Sequence, residues 1–335
     1  MPRLAIGLLF LVAVFFVLGG VQWLKLPFGS AQPTPAQKPM RDAFAADRAP
    51  AAPAAVAFDG QRALDYLDAI CKIGPRMSGT AGMKQQQELV KKHFEAHGAK
   101  VELQHFTARQ LSQQQPVEMA NLIASWYPDR PRRVLVCSHY DTRPIADQER
   151  DPRQWTQPFL SANDGGSGVA LLMELANHVS ELTSEVGITF ILFDGEEYIF
   201  DPKRDKYFFG SEHFAQVYRR DRPQRPYVAA VLLDMIAGKN ARFPMEQYSL
   251  FRAGTLVHDL WSIAAQLRCG AFVERPGPAV QDDHLALNQV GIPAVDIIDF
   301  DYPHWHRLSD VPENCSAEGM QQVARVLTVW LQRIK

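Results

Sequence analysis

The 335-residue chain predicts an α/β fold, a single mostly parallel mixed sheet covered by helices on both faces. Three observations carry this. From residue 133 onward, strand-like apolar runs alternate with amphipathic helical stretches. The run at 188–193 is six apolar or β-branched residues in succession, the pattern of a strand buried on both faces. Two earlier stretches, 99–107 and 118–126, alternate in polarity and read as an antiparallel pair added on one side. A hydrophobic fraction of 47% and a charged fraction of 21% suit a globular protein. The net charge of −2 offers no basic patch for nucleic acid. The chain has no internal repeat, no Gly-x-Gly-x-x-Gly phosphate loop and no Gly-x-Ser-x-Gly nucleophile turn.

Residues 4–21 run 18 positions without a charge, between Arg3 and Trp23. That is about the minimum length for a membrane span. Residues 1–26 therefore read as a transmembrane anchor or a cleaved signal, with Gly29-Ser30-Ala31 as a weak cleavage site. Either reading puts the rest of the chain outside the cytoplasm. Residues 27–57 are rich in Ala and Pro and read as a semi-extended linker to a domain at 58–335. Residues 58–73 have helical spacing and stop at Gly74-Pro75. A second helix over 79–98 opens at Thr80 and closes at Gly98. Strands follow at 133–138, 188–193, 227–233 and 294–298. Helices are expected at 169–182, 210–220, 256–267, 285–290 and 316–334, the last capped by Ser316. Of the four cysteines none forms a Cys-x-x-Cys pair, so a cysteine zinc site is not indicated. An exported chain admits one disulfide, with Cys71 and Cys315 as the pair and Cys137 as a core thiol.

The chemistry gathers at strand ends. Asp194, Gly195, Glu196 and Glu197 follow the 188–193 strand directly. Open α/β sheets bind ligands at the carboxyl ends of their strands. Neighbouring side chains there point in different directions. One Glu can hold a metal while the other faces substrate. His139 and Asp141, Asp234 and finally His306 follow other strands, and Asp164 sits in a Gly-rich turn. Each alone is an ordinary loop residue, helix cap or solvated acid. Together they converge on one crevice. A His/Asp/Glu set without cysteine suits a hydrolytic zinc site with an open position for substrate.

His139-Tyr140-Asp141, Asn163-Asp164-Gly165, Glu196-Glu197, Asp234, Gln281-Asp282-Asp283-His284 and Trp305-His306 also form a recognisable series. In order and spacing the series resembles one superfamily. It joins zinc aminopeptidases of the bacterial leucyl type to the animal-type glutaminyl-peptide cyclotransferases. The likeness covers residues 60–335 and implies a fold of the zinc exopeptidase type. It implies zinc on Asp164, Glu197 and His306, with Glu196 as general acid/base. In the dinuclear aminopeptidases the position of Asp164 bridges to a second zinc, held by His139 and Asp234. The cyclases keep those residues with one zinc. Trp305, Gln281-Asp282 and Gly74-Pro75-Arg76 look like the cyclase side. There Trp305, Gln281 and Tyr198 would bind substrate, and Asp234 and Asp282 would hold its amine. The implied reaction is cyclisation of N-terminal glutaminyl residues of peptides, with release of ammonia. The alternative is an aminopeptidase in which Glu196 activates water. Departures remain. The turn from Asn163 to Gly168 is nearer the peptidase form. No Trp follows the Glu-Glu pair, where Tyr198, Phe200, Tyr207 and Phe208 stand instead. Asp296 occupies the place of a His in animal cyclases.

Overall fold

A computed structural model describes residues 56–335. The expected anchor, and all of the linker but its last two residues, lie outside the described residues. Among those described, no helix is long and apolar enough to cross a membrane.

The strands are β1 (Lys100–Ala108), β2 (Val117–Trp126), β3 (Arg133–His139), β4 (Gly187–Phe193), β5 (Tyr227–Asp234), β6 (Phe243–Met245), β7 (Phe272–Pro276) and β8 (Ala294–Ile298). Six form one sheet in the order β1-β2-β4-β3-β5-β8. β4, β3, β5 and β8 are parallel, while β1 and β2 join antiparallel at one edge. The sheet is thus mixed, as expected. Its helices are α1 (Gly60–Cys71), α2 (Ala81–Ala96), α3 (Ser167–Ala176), α4 (Phe209–Asp221), α5 (Gln247–Gln266), α6 (His284–Gln289) and α7 (Ala317–Arg333).

The alternation of side chains along each strand divides the core in two. Val134, Val136, Ile188, Phe190, Leu192, Val231 and Leu233 pack with residues of α1, α2, α3, α5 and α7. Leu135, Cys137, Ile191, Phe193, Ala230 and Leu232 pack with Phe214 of α4 and Leu287 of α6. Both faces of the central strands are therefore dry, which is why their sequences are continuous apolar runs.

Local chemistry sets the helix limits. Asp59 caps α1 by accepting from the N–H of Gln61 and Arg62. Thr80 caps α2 as expected. The helix expected to reach residue 182 ends at Ala176. The Asn177 amide donates to the Glu174 carbonyl at 3.0 Å there, and a 3-10 turn, Val179–Glu181, follows. α5 starts nine residues earlier than expected. Glu246 caps it by accepting from Tyr248 and Ser249, and it kinks at Ala253. The short parallel pair β6–β7 was not expected, because each strand carries a proline that reads as a breaker. Ser316 stands at the start of α7, but its hydroxyl makes no capping bond. All four cysteines are free and buried, so the Cys71–Cys315 disulfide is not formed.

At Gly168 α3 meets the sheet without room for a side chain. A Cβ there would lie 2.2 Å from Ser138 Oγ and 2.8 Å from the Leu233 carbonyl oxygen. The Leu233 oxygen belongs to fixed strand backbone and cannot give way. Gly168→Ala should therefore lower the unfolding free energy by about 1–3 kcal/mol, read by denaturant titration. A wild-type midpoint would contradict this packing.

Candidate metal centre and active site

Because β3, β4, β5 and β8 are parallel, their carboxyl ends share one edge of the sheet. β3 ends on His139 and β5 on Asp234, and Asp194 to Glu197 follow β4. The Asn163–Ser167 turn before α3 and the segment after β8 complete the ring. Two sets of potential ligand atoms form there, each set lying within 4.8 Å: Asp164, Glu197 and His306, and His139, Asp164 and Asp234. His306 Nε2 lies 3.3 Å from Glu197 Oε2 and 3.5 Å from Asp164 Oδ2. His139 Nε2 lies 3.0 Å from Asp164 Oδ1 and 3.3 Å from Asp234 Oδ1. Asp164 is common to both sets. It does not cap α3, which begins at Ser167 with no side-chain cap.

Three further acids hold the backbone in this shape. Asp141, first weighed as a ligand, accepts from the N–H of Glu196 at 3.0 Å and of Glu197 at 3.1 Å. Asp310 does the same for Asn163 at 2.9 Å and Asp164 at 3.1 Å. Asp194 accepts from the Ala120 N–H and the Ser78 hydroxyl. Hydrogen bonds to an ionised acceptor are the strong ones. Gly195, at φ +68°, turns the chain between Asp194 and the Glu pair, and a Cβ there would strike Met119. Sequence reasoning missed Asp310, and it missed Arg143 and Asp147, which bear on His306. Only Arg143, two residues beyond Asp141, stood near a visible motif.

Burial raises Glu196 well above the usual carboxylate range, and the charges of Glu197, Asp282 and Asp283 add to it. Glu197 is pushed up to about 7 by burial and then by Asp164. Asp282 and Asp296 are raised well above the usual range by burial and by each other's neighbourhood of acids. Burial alone would lower His139, but the neighbouring carboxylates of Asp141, Asp164 and Asp234 outweigh that and raise it. So many raised carboxyls mark a set of acids without enough positive charge among them. Asp164 Oδ2 is buried with no hydrogen-bond partner. Two carboxylates, one with an orphaned oxygen, and one imidazole fit a zinc ion with a position left for substrate.

A cavity of about 260 Å³ opens on this centre. Asp164, Glu196, Glu197, Asp234, Gln281, Asp282, Trp305 and His306 all line it, with Tyr207, Phe208 and Phe300. His139 lies just behind, against Asp164. Of the expected site residues His139 and Tyr198 do not line the cavity, and of these two only His139 belongs to the ligand sets. The loop after the Glu pair first leaves the site and then returns. Gln110 bonds the Tyr198 carbonyl, whereas the N–H groups of Phe208 and Phe209 bond the carbonyls of Glu196 and Gly195. The aromatic wall therefore comes from the far end of the loop. A larger groove of about 660 Å³, rimmed by Arg132, Arg252 and Arg333, includes none of the ligand residues.

The profile of peptidase family M28 matches residues 121–331. The crystal structure of Fimbriiglobus ruber glutaminyl cyclase superposes with a TM-score of 0.83 at 52% identity, covering 84% of this chain and 97% of its own. A leucine aminopeptidase precursor from Bacteroides thetaiotaomicron gives a TM-score of 0.78 at 29% identity, covering 83% and 98%. The glutaminyl-peptide cyclotransferase-like protein of Bos taurus is 26% identical over 267 residues, or 70% of this chain. The chain spans 65% of that relative's length.

The raised acids give the metal-stripped protein a pH dependence. Burial first, and neighbouring charge second, lift Asp194, Asp310 and Glu197 to about 7 in the fold. Unfolded carboxyls titrate near about 4. The folded state thus binds more protons than the unfolded state between those values, and stability falls as pH rises through that window. His306, raised to about 8, acts in the same sense. The thermal midpoint of metal-stripped protein should fall between pH 5 and pH 8. Zinc should raise it more at pH 8, where the ligands are deprotonated. A midpoint that rises with pH would contradict this electrostatic picture.

Proposed function

The chain belongs to peptidase family M28, and on that premise we propose that it is a zinc-dependent glutaminyl-peptide cyclotransferase. It closes an N-terminal glutaminyl residue of a peptide to pyroglutamate and releases ammonia. The likeness to the Fimbriiglobus ruber enzyme carries this reading. The cyclase name comes at 52% identity and the aminopeptidase name at 29%, so hydrolysis is not favoured.

Asp164, Glu197 and His306 would hold a single zinc. Bound there, it supplies Lewis-acid polarisation of the side-chain carbonyl of the glutamine. Glu196 takes a proton from the α-amine as the amine nitrogen forms its bond to that carbonyl carbon. The same carboxyl returns the proton to the departing amide nitrogen as the carbon–nitrogen bond breaks. Its raised pKa suits both halves of this exchange near neutral pH. Asp234 and Asp282 face the same cavity and hold the amine. Nucleophile and carbonyl belong to one residue, so their encounter costs little entropy once the cavity fixes the side chain. Trp305, with Phe300 5.2 Å away, gives that side chain an apolar wall, and Gln281 borders the peptide. His139 and Asp234 serve acid balance rather than a second ion. Residues 1–26 would anchor the domain to a membrane or be removed as a signal, with residues 27–57 as the linker and the domain outside the cytoplasm.

Incubated with a peptide bearing N-terminal glutamine, the full chain should release one ammonia per pyroglutamyl product. A chelator should stop turnover and zinc restore it. Glu196→Gln should lower turnover by roughly 10²–10⁴-fold with zinc content unchanged. Release of free glutamine would overturn the proposal.

A further inference from the structure

His306 has an unusual backbone for a residue that must aim its ring. Its φ is +53°, in the left-handed region that a non-glycine residue visits at a cost. The segment between β3 and α3 grips it at three points. Asp147 Oδ1 lies 3.0 Å from His306 Nδ1. The Gln148 N–H donates to the His306 carbonyl at 3.2 Å. The Glu149 carboxylate accepts from the N–H of Leu308 at 2.9 Å.

Asp147 is itself held. Arg143 reaches it with two bonds, Nε to Oδ1 at 3.1 Å and Nη2 to Oδ2 at 2.8 Å. The guanidinium is buried, and such a paired fork fixes both groups. Arg143 also donates from Nη2 to the Tyr207 hydroxyl at 3.0 Å, and from its backbone N–H to Glu197 Oε1 at 2.9 Å. One residue therefore touches a zinc-ligand candidate, a cavity wall and the acid that orients the imidazole. Arg143 donates to both oxygens of Asp147, which marks the group as an ionised carboxylate. An ionised carboxylate can only accept, so Nδ1 carries the proton and the Nε2 lone pair faces Glu197 and Asp164.

We infer that Asp147, locked by Arg143, is a positioning residue that fixes the tautomer and direction of His306 for zinc. The inference rests on His306 as a zinc ligand. Outer carboxylates of this kind change metal affinity when removed, typically by about 10–100-fold.

The test is zinc affinity of the full chain, measured by competition with a chromophoric chelator and independent of any substrate. Asp147→Ala should bind zinc about 10–100-fold more weakly. The Nδ1 proton resonance of His306 in zinc-loaded protein should move upfield or vanish by exchange. Glu149→Gln removes a charge from the same loop but keeps an acceptor for the Leu308 N–H, and should leave zinc affinity unchanged. Wild-type affinity in a folded Asp147→Ala chain overturns the inference, as does an equal loss in Glu149→Gln. If Asp147→Ala does not fold, the isosteric Asp147→Asn decides, since it loses the charge and the paired Arg143 bonds. A wild-type chain that binds no zinc overturns the underlying reading instead, and that is seen before any variant is made.

Discussion

Parallel packing of β3, β4, β5 and β8 forces a crowd of carboxylates out of water at one end of the sheet. Taking an anion out of water is costly unless it is paired or hydrogen-bonded. Much of the surrounding structure answers that cost. Asp141 and Asp310 are each met by two backbone N–H groups, and Asp194 by one N–H and a hydroxyl. Asp147 is met by Arg143 and His306. Those acids are spent on holding loops in place.

Even so bonded, Asp194 and Asp310 are lifted to about 7, and the remaining acids have less relief, Asp282 accepting one N–H, from Asp283 at 2.6 Å. Glu196, Asp282 and Asp296 stay raised well above the ordinary range, and both Asp296 oxygens lack partners. The division follows geometry. Satisfied acids lie under the turns, and unsatisfied ones lie at or beside the cavity, where a cation or an amine can approach. A site organised this way favours a positively charged ligand and a carboxyl that exchanges protons near neutral pH. An α-amine that arrives as ammonium is drawn in by the first, and the second takes the proton that frees its lone pair for attack.

Much of this was legible in the sequence for physical reasons. The central strands are dry on both faces, so they announce themselves as unbroken apolar runs, and the residues directly after them are the ones the sheet brings together. Glu196, Glu197, Asp234 and His139 were found that way. Asp164 and His306 stood in the same set, but their grouping with Glu197 as one ligand triad needed the family resemblance, because each lies in irregular chain whose course no periodicity records. Asp310 and Asp147 gave no signal, since their partners lie far along the sequence, 147 residues away for Asp310 and Asn163 and 159 for Asp147 and His306. Tyr198 misled because proximity to the Glu pair in sequence is undone by a loop that returns only at Tyr207 and Phe208. The β6–β7 pair hid behind its prolines, and the Ser316 cap obeyed the sequence rule in position but not in bonding.

The open chemical choice at the Glu pair was whether Glu196 draws its proton from an amine or from a water. In the proposed reaction it is the amine. Turnover of an N-terminal glutaminyl peptide in water enriched in heavy oxygen tests this most directly, with products weighed by mass spectrometry. Cyclisation gives a peptide lighter by one ammonia and carrying no label. A freed amino acid with heavy oxygen in its carboxyl group would contradict it.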